Sequence, residues 1–290
     1  MSAEVASGTG TVLPDTAPQP GVLAGLAISP SFWVGVAITG FWIAAAILWP
    51  LLAPYDPFKL DVLSPLAPPS LKHFFGTDEL GRDVFSRVLA GATPAMSIAP
   101  VATLLSIATG TTMGLLAGYY RGWTDALLMR VFDAVLSFPL VITAILVLTT
   151  LGPSRVNVVL VIVILFTPIV ARTIRVPVMA ERDLEYVAAA RLRGESAWYI
   201  MFAEILPNVT AVIAVEAAVR LGYATFAATT LSFLGLGAQR PSPDWGLSIA
   251  LARTHIQVAP WTALFPAAAL ATFIVGVSLA ADAIRRGIEE

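Results

Sequence analysis

Apolar residues along this chain fall into six long stretches, at about 31–53, 94–119, 134–151, 156–175, 208–236 and 261–283. Each is near the twenty or so residues that a bilayer's hydrocarbon core demands of a helix. Polar and charged residues gather between the stretches, and a Gly152-Pro153-Ser154-Arg155 turn separates the third from the fourth. The pattern predicts an all-α membrane protein with about six transmembrane helices joined by short loops. A helix satisfies its own backbone polar groups, which lipid requires of any spanning segment.

Composition supports the same class. Of 290 residues, 57% are hydrophobic and 12% charged, and the mean hydropathy is +0.82. An ordinary soluble domain is roughly a quarter charged, because it must cover its outside with polar groups. The net charge is −2 with no basic tract, which gives no footprint for nucleic acid. There is no cysteine, so disulfides, Cys-based zinc sites and thiol catalysis are excluded. Residues 1–30 are rich in Ala, Gly, Pro, Ser and Thr and are expected to form a disordered cytoplasmic tail. That tail lacks the positive n-region of a signal peptide, so the first span is expected to remain as an uncleaved anchor.

Arginines set the expected orientation. Arg121 and Arg130 follow span two, Arg172, Arg175, Arg182, Arg191 and Arg193 lie at or after the end of span four, and Arg285 and Arg286 follow span six. All three regions share one side of a six-span chain, which makes them and both termini cytoplasmic. The 54–93 segment, with Lys59, Lys72, Arg82 and Arg87, is then extracytoplasmic, and residues 94–284 form a core of five spans ending in a short cytoplasmic terminus at 285–290.

The loop at 176–207 carries the most distinctive local pattern. Glu181, Asp183 and Glu185 favour a helix N-terminus, Ala188, Ala189 and Ala190 propagate it, Arg191 and Arg193 suit its C-terminus, and Gly194 ends it in a left-handed cap. Pro207 suits the start of the next helix, where its missing N–H is tolerated. A polar helix with a flat alanine face and no evident core of its own either docks into another protein or lies on lipid headgroups.

In 76–87, Asp78 and Arg82, and again Asp83 and Arg87, are spaced i, i+4, while Leu80, Val84 and Val88 line another face. This predicts an amphipathic helix at the outer membrane surface, acting either as an elbow before span two or as a contact for a delivery protein. Gly110, Gly114 and Gly118 leave one face of span two nearly bare, so that a neighbouring helix can approach closely, either one of this chain, the simpler reading, or one of a second subunit. Pro139 and Pro168 are expected to punctuate or kink helices. Glu216 and Arg220 are the opposite charges well inside a span and should pair, either as a structural ion pair or in a translocation path.

Three stretches together resemble one family. Glu185, Tyr186, Val187 and the three alanines to Arg191, with Gly194, Leu206 and Pro207, resemble the coupling loop of bacterial ATP-binding-cassette importer permeases, with Ala188 where a glutamate often stands. The run from His73 through Gly76, Thr77, Asp78, Leu80, Gly81, Arg82, Asp83, Ser86 and Arg87 is similar to the motif before span two in peptide/nickel permeases of the C type. Ser232, Phe233, Leu234, Gly235 and Gly237, leading to Pro243, Trp245 and Gly246, match that family's motif after span five. Asp282 and Arg285 still align in a divergent final span.

The resemblance implies a type I ABC importer permease fold (binding-protein-dependent transport inner-membrane component). It implies a pore-forming subunit for di- or oligopeptides in the bacterial plasma membrane. Partners would be a homologous B-type permease, two cytoplasmic ABC ATPase subunits that bind ATP and Mg, an extracytoplasmic substrate-binding protein and the lipid bilayer, with no nucleic acid. The same architecture could import nickel, glutathione or another small solute. An ATP-independent secondary transporter or channel is the rival class, but beyond Glu216 and Arg220 few buried ionisable residues support it.

No Gly-x-x-x-x-Gly-Lys-Ser/Thr loop is present, so the ATPase sites belong on other chains. No catalytic group, cofactor or metal is expected in this chain, and His73 and His255 are expected to be exposed loop residues.

Overall fold

The computed structural model describes residues 30–289, so the tail expected before the first span lies outside the described residues. The chain forms α1 (Pro30–Leu52), α2 (Val84–Ala90), α3 (Ala92–Tyr120), α4 (Gly122–Leu136), α5 (Leu140–Leu151) and α6 (Arg155–Glu181). It continues with α7 (Glu185–Leu192), α8 (Ala197–Phe233), α9 (Trp245–Ala252) and α10 (Trp261–Glu289). Five helical segments are long and apolar enough to cross a membrane: α1, α2 with α3, α6, α8 and α10. The bent pair α4 and α5 brings the number to six if it counts as one span.

That pair corrects the third predicted span. Residues 134–151 are not one helix: α4 and α5 meet at an 83° bend, with Ser137 closing one and Pro139 opening the other. Pro139 has no N–H to continue the first helix and its ring excludes a helical carbonyl behind it, so the break falls there. Pro168, in contrast, lies inside an uninterrupted α6, as does Pro177. The second span begins earlier than predicted, because α2 runs through Gly91 into α3.

The most extensive packing between two helices joins α3 to α6. Its basis is the bare face at Gly110, Gly114 and Gly118. A Cβ on Gly110 would lie 2.5 Å from Val170 Cβ, one on Gly114 2.9 Å from the Ala171 carbonyl, and one on Gly118 2.7 Å from Val178 Cγ1. Without a hydrophobic drive between helices in lipid, such close backbone approach supplies the dispersion contact that holds them. Thr109 and Thr167 hydroxyls meet at 2.7 Å across the same seam. Opposite, α10 packs on α1, with Gly35 and Gly276 at the contact.

Three buried clusters organise the interior. One joins α3, α5, α6 and α8 through Ala102, Leu148, Leu165 and Leu231. A second lies where α3, α6 and α8 meet α7, around Leu115, Ile174, Val187, Met201 and Ile205. The third surrounds Trp245, between Trp42, Val88 and Phe273. Large apolar residues such as Ile47, Leu104 and Leu146 remain exposed, as lipid allows.

Replacing Gly114 by leucine should force α3 from α6 and cost about 1–3 kcal/mol, the usual range for overpacking. Gly40→Ala, where an added Cβ meets nothing within 4 Å, should cost nothing. Thermal unfolding of both variants in the same detergent checks this; equal midpoints would refute the role given to the glycine face.

Candidate functional site

The loop between α6 and α8 is built as a mounted helix. Glu185 stands in the first turn of α7 and Arg191 in its last, each favourably placed against the helix dipole. Gly194 has φ +79°, its N–H donates to the Arg191 carbonyl, and the Glu195 N–H donates to that of Ala190. Those two bonds form the left-handed cap expected from the sequence. Glu181 and Asp183 do not start α7, however. Glu181 ends α6 and accepts the Tyr186 hydroxyl at 2.7 Å, while Asp183 pairs with Arg121 at 2.6 Å.

The expectation that this helix has no core is also corrected. Val187 and Ala190 are fully buried against Leu115, Ile200, Met201 and Ile205. Sequence reasoning missed that partner because it lies in the start of α8. There Pro207 stands in the first turn of the α-helical stretch Leu206–Phe233, as expected, but the chain is already helical from Ala197 and π-helical over Ile200–Ile205. The wider π turn sets the ladder so that Pro207, near the start of the following α-helical stretch Leu206–Phe233, interrupts nothing.

Side chains lock the mount from several directions. The Tyr186 hydroxyl also accepts from Asn208 at 3.2 Å, and burial, with the Glu181 contact, pushes its pKa up to about 12. Arg193 reaches Glu204 at 2.8 Å, and Arg191 stacks over the Tyr119 ring at 5.3 Å. Arg121 also donates to the Met179 carbonyl, and Arg175 and Arg172 of α6 pair with Asp125 and Asp133 of α4. The outward face is left open: Ala188, Ala189 and Arg191 are exposed and Leu192 is 90% exposed. Leu184, Trp198 and Tyr199 are exposed nearby in sequence.

The second motif forms a polar knot instead of the amphipathic helix predicted over 76–88. Helix begins only at Val84, with the Asp83 carboxylate capping the Ser86 N–H at 2.8 Å. Before it, Thr77 and Asp83 pair as an isolated bridge, and Gly81, at φ +74°, lies so close to Asp61 that a Cβ would fall 1.8 Å from its carbonyl oxygen. Gly76 also turns left-handed there, at φ +71°, and Leu80 donates its N–H to Asp78. Asp78 binds Arg82 at 2.7 Å as the spacing suggested, but Asp83 does not bind Arg87. It takes His73 Nδ1 at 2.9 Å and the Ser86 hydroxyl at 2.7 Å. His73 is therefore buried, contrary to expectation.

Arg87 ties three segments together. Its guanidinium donates to the Pro57 carbonyl at 3.0 Å and the Ser242 carbonyl at 2.9 Å, and lies 3.6 Å from Asp78. The third motif completes this assembly. Gly235 caps α8 at φ +78°, with the Gly235 N–H donating to Ser232 and the Leu236 N–H to Leu231. The Ser232 hydroxyl accepts the Ala238 N–H at 3.1 Å, next to Gly237. Phe233 and Leu234 stay partly exposed at the helix end, whereas Pro243 is buried.

Asp244, which sequence reasoning did not single out, then caps α9 through the Leu247 N–H at 2.9 Å, and burial pushes its carboxyl pKa up. Its signal was present, an aspartate just before an apolar run. Trp245 donates from Nε1 to the Val88 carbonyl at 2.9 Å, while Gly246 allows contact with the Thr229 carbonyl, 2.3 Å from where a Cβ would sit.

Glu216 and Arg220 pair at 2.6 Å along α8, and the guanidinium lies over the rings of Phe166 and Tyr223. Among the described residues no group of three or more His, Asp or Glu side chains is arranged to hold a metal ion.

Residues 110–290 match the family described as binding-protein-dependent transport system inner membrane component. The chain is 39% identical over 256 residues to the dipeptide transport system permease protein DppC of Alkalihalophilus pseudofirmus, covering 88% of this chain and 84% of that one. It is 38% identical over 250 residues to the glutathione transport system permease protein GsiD of Pectobacterium atrosepticum, covering 85% and 82%. With the probable D,D-dipeptide transport system permease protein DdpC of Escherichia coli the identity is 37% over 257 residues, covering 89% and 86%.

Arg87→Met leaves a buried carboxylate short of its partner and two carbonyls without a donor, and should cost about 3 kcal/mol of stability. Arg87→Lys should recover only part, since an ammonium lacks the planar fork that reaches three acceptors. Unfolding midpoints of the two variants test this; a wild-type midpoint for Arg87→Met would contradict it.

Proposed function

The chain belongs to the family of binding-protein-dependent transport system inner membrane components, and from that premise we propose that it is the pore-forming C-type permease subunit of an ATP-driven importer of di- or oligopeptides. The observation that carries this reading is α7, anchored through Val187 and Ala190 yet open on the side of Ala188, Ala189 and Leu192. A helix held that firmly at the junction of α3, α6 and α8 transmits a push instead of absorbing it. Its exposed face fits a groove on a cytoplasmic ABC ATPase, where ATP and Mg would bind.

In this account both termini and the 176–207 loop are cytoplasmic, as the arginine distribution suggests. The knot at 54–93 then faces the other side of the bacterial plasma membrane, where a substrate-binding protein delivers cargo. A homologous B-type permease supplies the other half of the pore wall. ATPase closure would rock α3, α6 and α8 as a unit and alternate access to the two sides. Peptide cargo is supported by the two dipeptide permeases among the relatives; the similar identity to a glutathione permease supports a second reading, glutathione, itself a small peptide.

Leu192→Asp and Ala189→Asp alter exposed positions of the open face, so membrane insertion and unfolding midpoint should stay unchanged. ATP-dependent uptake should fall on the order of tenfold, as loss of about 1.4 kcal/mol of docking energy requires. Uptake at the wild-type rate in both variants would count against the coupling role.

A further inference from the structure

Between α8 and α10 lies a cavity of about 470 Å³, within the usual size of small-ligand sites. Its walls include Gly222, Tyr223, Phe226, Ile274, Ser278 and Asp282. Three features give it a chemical preference. The first is charge. The Asp282 side chain is exposed at the cavity wall and makes no hydrogen bond or ion pair among the described residues, while the Arg286 guanidinium, one turn on, contacts its backbone carbonyl at 3.3 Å and the Ser31 hydroxyl at 3.2 Å. Neighbouring Arg220 is already matched by Glu216, which leaves Asp282 as the one charged side chain lining the cavity among the described residues.

The second feature is aromatic. Tyr223 and Phe226 are 57% and 59% exposed, and the Tyr223 ring already receives the Arg220 guanidinium at 5.3 Å. Ring faces beside a carboxylate are the combination that holds ammonium groups. The third is room. A Cβ added at Gly222 would come no closer than 3.9 Å to Ser278 Oγ and Val277, so the floor of the cavity is unfilled. An acyl chain is a poor occupant, because a carboxylate facing hydrocarbon is disfavoured.

We propose that this cavity is a binding site for a primary ammonium, with Asp282 as its counter-charge and Tyr223 and Phe226 as its ring walls, and that it receives the free N-terminus of a peptide in transit. The identification of the ammonium as a peptide's rests on the peptide reading above; the ammonium chemistry does not. Such a subsite would select for free amines after delivery, separately from any selection by the binding protein.

The absence of cysteine from the chain supplies the test. In the whole transporter reconstituted in nanodiscs without binding protein, Ser278→Cys is labelled with a maleimide on this chain alone, and the labelling rate is followed. Trialanine at about ten times its Kd should slow labelling about tenfold, and ethylammonium should also protect, whereas N-acetyl-trialanine should not. Asp282→Asn should abolish protection by both amines, and Phe226→Leu should weaken it should the first variant fail to assemble. Equal protection by free and acetylated peptide, protection that survives both substitutions, or a thiol that never reacts would each overturn the proposal. Protection by ethylammonium without trialanine protection or ATP-dependent trialanine uptake would uphold the ammonium site and reject peptide as cargo.

Discussion

The architecture depends on how closely α3 can approach α6. In lipid there is no water to squeeze out from between helices, so packing distance decides association. Three glycines one turn apart bring α3 into close contact with the Val170 and Val178 side chains and the Ala171 carbonyl. That seam fixes the relative position of Tyr119 and Met179 at its end, where Arg121 leaves α3 at φ +54° and reaches across to the Met179 carbonyl and Asp183. The mount for α7 follows from this geometry. Had α3 carried alanines or leucines at those positions, the junction beneath Val187 and Ala190 would be displaced.

At the opposite end of the spans a different solution holds the chain. Segments 54–83, α2 and the 234–244 turn are joined by charged hydrogen bonds around Asp78, Asp83 and Arg87. Each carboxylate there accepts more than one donor, which offsets the cost of burial. Trp245 then seats this knot on the helices, against Trp42 and over the Val88 carbonyl. The protein thus has a glycine seam in the bilayer, a polar knot at one end and a mounted helix at the other.

Much of this was legible in the sequence. The spans could be read because lipid demands long uncharged runs, and α7 because Glu185, Arg191 and Gly194 mark its ends by local rules. The glycine face was legible for the same reason, as a pattern within one helix. Features that depend on residues far apart were not. The i, i+4 spacing of Asp83 and Arg87 suggested a helical pair, but the chain turns at Gly81, and each side chain finds partners as distant as His73 and Ser242. Pro207 does stand at the start of the α-helical stretch Leu206–Phe233, but the helical turns over 197–205 that lead into it were not legible. The break at Pro139 was marked, but its 83° angle depends on packing and ion pairs to α6 that a span-length argument does not see.

The account stands or falls on what meets the outer face of α7. A photoreactive phenylalanine at position 188, which is exposed and touches none of the mount, would report this directly in membranes holding the assembled transporter. The expected product is a cross-link to the ATPase subunit whose yield changes when ATP is bound. Cross-linking to lipid alone, with no ATPase adduct in any nucleotide state, would place the helix on the headgroups and contradict the coupling role.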